Sequence, residues 1–464
     1  MAAGFLFSGW VFVLNSKLAW LSGGEQFLLT LLFILCVLPG LFFLGGHRLR
    51  IPVMPLWGVG YFALFGMPFL KSEREAGITS FDPALVSEVL GLTVLGAACC
   101  FLAFYAPFFQ WVENMTPVLR QPWDLRRAPK SGVILCGVGI LAHYISLTMS
   151  VGMAFLQPLL LLSKSATMGL LTLFLLQLRG KLSLQLKIFL WGFALPIEYL
   201  FAMGTGAVYN AVIVLAPLLF CYCAERRQVP LVWISLILGV FIIPFLGFKH
   251  EYRSYAWYGE GDVQVSSSPL QRGLFFVQLV TNRLTEGGVE SYSVSVETTE
   301  ERSSQLELLA NVMEQTPRIV PFWKGETYAS LLWAFIPRVL YPNKPTKVLG
   351  QEFGHRYGIL NETDEDTSIN LPHQVVEMYI NFGKLGVFLG MLLIGCIYRA
   401  IAALLGRTGS GERALIIGCT ICGVLLTLDA DFSLVFGGVI YCLVVLYFVS
   451  RFFHGNPKNS PETP

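Results

Sequence analysis

Apolar runs of about 20 residues recur along most of this chain, with polar residues confined to short breaks between them. The pattern predicts helices over residues 26–45, 51–70, 86–109, 132–151, 166–178, 186–203, 207–223, 229–248, 387–405, 414–428 and 432–452. An earlier stretch, 4–21, is interrupted by Asn15 and Lys17 and reads as a twelfth span or an interfacial helix. It has no small-residue cleavage site and is too polar for a signal peptide core, so it is expected to stay on the chain. The short alternating segments of an outer-membrane barrel are absent from the pattern. The expected fold is an all-α, polytopic membrane bundle of about 11–12 spans.

The pattern breaks once, between Phe248 and Phe382, dividing the chain into an N-terminal bundle (1–247), a long polar loop (248–382) and C-terminal helices with a tail (383–464). The loop does not read as an independent soluble domain. Lys249 and Arg253 are four apart, so a helix continuing from the preceding span puts them on one face. Residues 269–284 and 306–313 carry helical periodicity, and 291–304 is rich in Ser, Thr and Glu. Then comes Ile336-Pro337-Arg338-Val339-Leu340-Tyr341-Pro342-Asn343-Lys344-Pro345. Three prolines rule out a spanning helix there and favour a rigid loop that presents Arg338 and Lys344 to an anion. His373 and Glu377, also four apart, close the loop.

Composition agrees: 464 residues, 55% hydrophobic and only 13% charged, against about 25% charged in soluble domains. A formal net charge of +2 gives no reason to expect nucleic acid. Basic residues cluster at 47–50, 120–130, 179–181, Arg226-Arg227, Arg407, Arg413 and from Arg451 onward, all on one side of the predicted spans. The positive-inside rule makes that side cytoplasmic and the 248–382 loop extracytoplasmic. All ten cysteines fall in apolar stretches, which leaves no thiol in the loop for a disulfide or zinc site. No metal-ligand spacing is evident, and neither a metal nor a cofactor is expected.

Gly325-Glu326-Thr327-Tyr328, the Arg338/Lys344 segment, Thr367-Ser368, and Glu377…Tyr379…Asn381-Phe382-Gly383…Gly386 occur in this order. The combination resembles the Wzy-type oligosaccharide repeat-unit polymerases, the O-antigen and enterobacterial-common-antigen polymerase-like proteins of bacterial inner membranes. Motif-level likeness covers about a third of the chain. One departure is Gly204-Thr205-Gly206, where members often carry Gly-Ser/Thr-Arg.

The resemblance implies a GT-C-like glycosyltransferase that joins undecaprenyl-diphosphate-linked oligosaccharide repeat units into a surface polysaccharide without a metal. Donor and acceptor are then lipid-linked, the bilayer is a partner, and a chain-length regulator and a repeat-unit flippase are candidate partners. The implied location is the inner membrane, multi-pass, with the C-terminus cytoplasmic. Charge developing on the leaving diphosphate calls for fixed cations. Arg338, Arg253 and Arg283 lead, supported by Lys249 and Lys344. Glu377 is the first candidate base for the acceptor hydroxyl and His373 the second. Glu326 is a further substrate contact, and Tyr328, Tyr379, Trp323 and Trp333 offer faces for sugars. Bland alternatives stand beside each: snorkelling arginines, a satisfied loop histidine, and a Glu377 that neutralises a helix N-terminus. Competing functions are an O-antigen-ligase-like transferase and a transporter or flippase for lipid-linked sugars. Glu198 is a loosely held further contact, and exposure at a helix turn explains Asp429 and Asp431.

Overall fold

A computed structural model describes residues 9–11, 13, 18, 20–46, 49–70, 81–119, 124, 126–149, 152–237, 239, 243–259, 268–285, 305–331, 336, 341, 349–361, 363, 371–407, 409–425, 427 and 430–454. Helix α1 (Gly23–Leu44) starts at a capping box, in which Ser22 and Glu25 each satisfy the other's backbone amide. There follow α2 (Val53–Phe65), α3 (Pro83–Tyr105), the short α4 (Gln110–Met115), α5 (Ala128–Thr148) and α6 (Met153–Leu178). Next, α7 (Leu184–Phe189) runs through a π-helical turn, Leu190–Ala194, into α8 (Leu195–Gly204). That turn stands just before Pro196, whose missing N–H and ring disturb the regular ladder one turn back.

The chain continues with α9 (Val208–Arg226), α10 (Leu231–Ile237), α11 (Ile243–Tyr258), α12 (Pro269–Thr285), α13 (Gln305–Gln315), α14 (Leu349–Arg356), α15 (Gln374–Gly406), α16 (Glu412–Val424) and α17 (Phe432–His454). No strand forms among the described residues. The fold is all-α, as the apolar pattern predicts.

Seven of the described helices are long and apolar enough to cross a membrane: α1, α3, α5, α6, the α7–α8 unit, α15 and α17. This is fewer than the 11–12 spans expected. The expected span 51–70 is a 13-residue helix followed by a 3-10 turn at Met67–Leu70. The span expected over 414–428 also yields a 13-residue helix. At 1.5 Å per residue, 13 residues reach about 20 Å, short of a hydrocarbon core of about 30 Å. Around the expected span 229–248 the described residues form two helices, α10 and α11, on either side of residue 239.

Small residues bring the helices together. A methyl group on Gly139 of α5 would stand 2.1 Å from the Ala166 amide nitrogen of α6, and one on Gly395 of α15 would stand 2.5 Å from the Cys100 carbonyl of α3. Between apolar helices, dispersion requires such close backbone approach. Helix α12, from the polar loop, packs on α8 in the same way: a methyl on Gly273 would meet the Leu200 carbonyl at 2.2 Å. Helix α13 packs against α3 and α15. Helices α12 and α13 of the 248–382 segment are therefore docked on the bundle.

The basic residues expected on one face meet at one end of the bundle. Arg50 and Arg179 both reach Glu225 at 2.9 Å, and Arg179 also reaches Glu412 at 2.9 Å. Arg226 donates to the Leu178 carbonyl and Arg227 to that of Leu49. Buried Glu113 lies between Arg399 and Arg407, at 3.6 and 3.5 Å. These pairings tie together the ends of α6, α9 and α15 and the start of α16. Chain direction then puts the end of α8 and the starts of α9, α15 and α17 at the opposite end.

Candidate functional site

At that opposite end, the Gly325–Tyr328 segment docks on the first two turns of α15. Trp323 N–H donates to the Ile380 carbonyl at 2.9 Å, and Gly325 N–H to Asn381 Oδ1 at 2.8 Å. The Asn381 amide nitrogen donates to Thr327 Oγ1 at 2.9 Å and to the Glu377 carbonyl at 2.8 Å. Three of the four hydrogen-bonding positions of the Asn381 side chain are taken up by these contacts. Gly325 has φ +90°, a conformation that admits glycine most readily, and Phe382 lies against it.

Helix α15 is kinked at Gly383 (φ 64°, ψ −153°), so its first nine residues turn away from the remainder. The sequence reading begins a span only at 387. Phe382, just before the kink, is 52% exposed; its ring is parallel to Tyr328 at 6.4 Å, and Tyr328 meets Phe432 edge-on at 6.0 Å.

Glu377 is fully enclosed. Its Oε2 accepts the Phe432 N–H at 2.7 Å, satisfying one of the amides at the start of α17, while Oε1 accepts no hydrogen bond. The Thr327 hydroxyl faces this carboxylate. One turn earlier, Gln374 donates to the Ala430 carbonyl at 3.2 Å, and its own Oε1 is enclosed without a partner. Half-buried Asp431 accepts from the Leu434 N–H at 3.0 Å. Its burial pushes the carboxyl above the usual carboxylate range. Burial, with the Glu377 and Asp431 carboxylates close by, pushes the Tyr328 hydroxyl far up, so it remains a hydrogen-bond donor.

The structure gives His373 a different job from the second base expected of it. The residue is 1% exposed and caps α15, its Nδ1 accepting the Val375 N–H at 3.1 Å. The ring lies edge-on to Tyr61 and Phe65 at 5.5 and 5.1 Å, and the residue's backbone N–H donates to Gln305 Oε1 at 2.9 Å. Burial pushes its pKa down to about 3, so the imidazole is neutral and already engaged. Tyr379 is buried against Phe322 rather than open to a sugar, and Trp323 is buried with the Arg356 guanidinium 4.1 Å over its ring. Glu326 pairs with Arg356 at 3.4 Å.

The cations from the start of the loop form a second group at the same end. Helix α11 carries both Lys249 and Arg253, as their spacing predicts; Lys249 is 7% exposed. Arg253 Nε donates to the Gly206 carbonyl at 2.9 Å, its guanidinium 4.5 Å over Trp257. Tyr252 donates to the Gly204 carbonyl at 2.6 Å. The Gly204-Thr205-Gly206 turn, which lacks the arginine of the resembled motif, therefore receives a guanidinium from another helix. Arg283 of α12 donates through Nε to Glu251 at 2.8 Å. Arg338 and Lys344 lie outside the described residues, as do Trp333, Thr367, Ser368 and Asp429.

Sequence reasoning missed Gln374, held Phe382 only as part of the Asn381-Phe382-Gly383 motif, and explained Asp431 by exposure, whereas the structure half-buries it in this cluster. The available signal was a carboxylate directly before a helical run, together with Gln374, Glu377 and Asn381 recurring at three- and four-residue spacing.

Beside the cation group, α6, α8, α9, α10 and α12 enclose an apolar groove of about 1060 Å³. It runs from Gln177 and Tyr222, near the ionic end, to Met203 and Phe276, next to the Gly204 turn.

Fold and site together define an all-helical chain with long apolar helices and a polar, aromatic-walled cluster at one end. A family described as a domain of unknown function, DUF8712, matches residues 116–456, and the chain belongs to that family. No curated protein and no solved structure matches it.

Proposed function

We propose that this protein is a GT-C-like membrane glycosyltransferase that polymerises undecaprenyl-diphosphate-linked repeat units into a surface polysaccharide. One observation carries the reading. The Gly325–Tyr328 and Glu377–Gly383 segments, more than 45 residues apart in sequence, interlock through Asn381 to form a single cluster, and both belong to the motif set of the resemblance. The reading sets this cluster on the extracytoplasmic side of a bacterial inner membrane, with the ionic end and the C-terminus cytoplasmic.

Two features support the division of labour it requires. Lys249, Arg253 and Arg283 supply cations for a diphosphate, with Arg338 and Lys344 as further candidates from sequence. The apolar groove ends at the turn that Arg253 contacts, and its length and lining suit a polyprenyl chain. The Glu377 and Asp431 carboxyls lie in the other group, where a neutral acceptor hydroxyl needs a base.

The test is the glycan profile of cells lacking the chain. Loss of a polymerase leaves single repeat units on the final acceptor. Polymer stranded on undecaprenyl diphosphate would instead indicate a ligase, and a block in export would reject both. Arg338→Ala is expected to abolish polymer at unchanged protein level.

A further inference from the structure

Helix α15 holds the start of α17 at two points. Gln374 fixes the Ala430 carbonyl and Glu377 fixes the Phe432 N–H, so the two peptide groups flanking Asp431 are held from the same helix, one turn apart. Asp431 lies between these grips and is half-buried, whereas Glu377 and Gln374 are enclosed. Of its carboxylate acceptor positions, the Leu434 amide occupies one on Oδ1.

Three enclosed oxygens around this point have no hydrogen-bond partner: Gln374 Oε1, Glu377 Oε1 and Ser433 Oγ. Buried polar atoms are ordinarily satisfied, and three orphans on adjoining turns mark a place for a polar ligand. The Gln374 oxygen can only accept, and the Glu377 and Asp431 carboxyls stand beside it, so this cup of polar groups suits a neutral donor of hydrogen bonds better than a diphosphate. The exposed Phe382 face, backed by Tyr328 and Phe432, adds an apolar wall of the kind that suits a pyranose ring.

We propose that this cup is the acceptor-sugar subsite, that Asp431 takes the proton of the attacking hydroxyl, and that Glu377 is a positioning residue. The proposal rests on the polymerase reading. In the step, the acceptor O–H gives its proton to the Asp431 carboxylate while its oxygen bonds to the anomeric carbon of the donor. The bond from that carbon to the diphosphate oxygen breaks, and the electron pair leaves with undecaprenyl diphosphate. Asp431 then releases the proton to water.

The experiment uses the full chain in lipid nanodiscs, with the lipid-linked repeat unit extracted from cells lacking it. Wild-type elongation is established first; if there is none, the polymerase reading falls and this inference with it. Given elongation, Asp431→Asn is expected to lower kcat at least 100-fold with KM nearly constant, and Asp431→Glu to restore part of the rate. Glu377→Gln keeps an oxygen for the Phe432 N–H and is expected to lower kcat by no more than about tenfold, with the acidic limb of the pH profile intact. Phe382→Ala is expected to raise KM for the acceptor several-fold, a readout that does not depend on the folding of the Asp431 variants. The inference is overturned if Glu377→Gln is inactive while Asp431→Asn elongates, or if Phe382→Ala leaves KM unchanged.

Discussion

Asn381 receives the amide proton of Gly325 at 2.8 Å, and through this contact a loop segment more than 50 residues upstream is fastened to the first turns of α15. The same side chain donates to Thr327, which is buried. Replacing it with alanine leaves a backbone donor and a hydroxyl without these contacts, at a cost of about 1–3 kcal/mol. Asn381→Ala is therefore expected to lower the thermal midpoint of the detergent-solubilised protein and to expose the 325–328 segment to protease. Asn381→Asp keeps the acceptor for Gly325 and should lose less. Equal protease resistance of alanine variant and wild type would show that the junction is held by other contacts.

Gly383 is the hinge that turns Phe382 toward Tyr328. Its φ of 64° and ψ of −153° lie in a region essentially reserved for glycine, and an added methyl would stand 3.3 Å from the Phe322 ring. Gly383→Ala is expected to cost about 1–3 kcal/mol. Under the polymerase reading it should also shorten the polymer, because the aromatic wall moves with the kink. Stability and polymer length are separate readouts. A variant as stable as wild type would mean that α15 straightens at no cost.

His373 makes stability depend on pH. Folded, its pKa is down to about 3, against an ordinary value of 6.5, because burial disfavours the charged ring. The sign follows: between those values the unfolded chain binds a proton that the folded chain refuses. Stability is thus full above pH 6.5 and falls as pH drops toward 3, by about 2 kcal/mol at pH 5. Its packing neighbours Tyr61, Phe65 and Gln305 are uncharged throughout this window. Asparagine also caps helices, so His373→Asn is expected to keep the cap and remove this part of the pH dependence. Thermal unfolding of both proteins at pH 7 and pH 5 decides the matter; identical shifts would assign the effect to another group.

The apolar helices were legible because burial in a bilayer or a helical core writes a long, simple signal. The extents of α12 and α13 were legible too, since amphipathic periodicity survives at a protein surface. The junction of Gly325–Tyr328 with Glu377–Gly383 was visible only as the co-occurrence of two motifs; nothing in their residue types says that Asn381 is the fastener. Enclosure was the hardest property to read. Glu377 and His373 look alike in sequence, as polar residues one turn apart at a helix start, yet one holds a neighbouring helix and the other caps its own. The expected spans 51–70 and 414–428 came out short for a related reason: hydropathy measures composition, while local breaks such as the 3-10 turn at Met67–Leu70 decide where a helix stops.

Arg253 and Gly206 give the sharpest test of the cation group. The Nε of Arg253 donates to the Gly206 carbonyl at 2.9 Å, in a turn where φ is +69°, and the guanidinium plane lies over Trp257. Lysine preserves the charge, but it lacks the planar fork that can hold a backbone carbonyl while facing a ring and an anion. Arg253→Lys is expected to destabilise the protein by about 1 kcal/mol through the lost hydrogen bond. If the cations at this end bind a diphosphate, binding of undecaprenyl diphosphate should weaken about tenfold in Arg253→Lys and further in Arg253→Ala. Native mass spectrometry or scintillation proximity with the purified protein reads that affinity directly, without polymer synthesis. Equal affinity in all three proteins would confine Arg253 to holding the Gly204–Gly206 turn, and the diphosphate would have to be met by other cations.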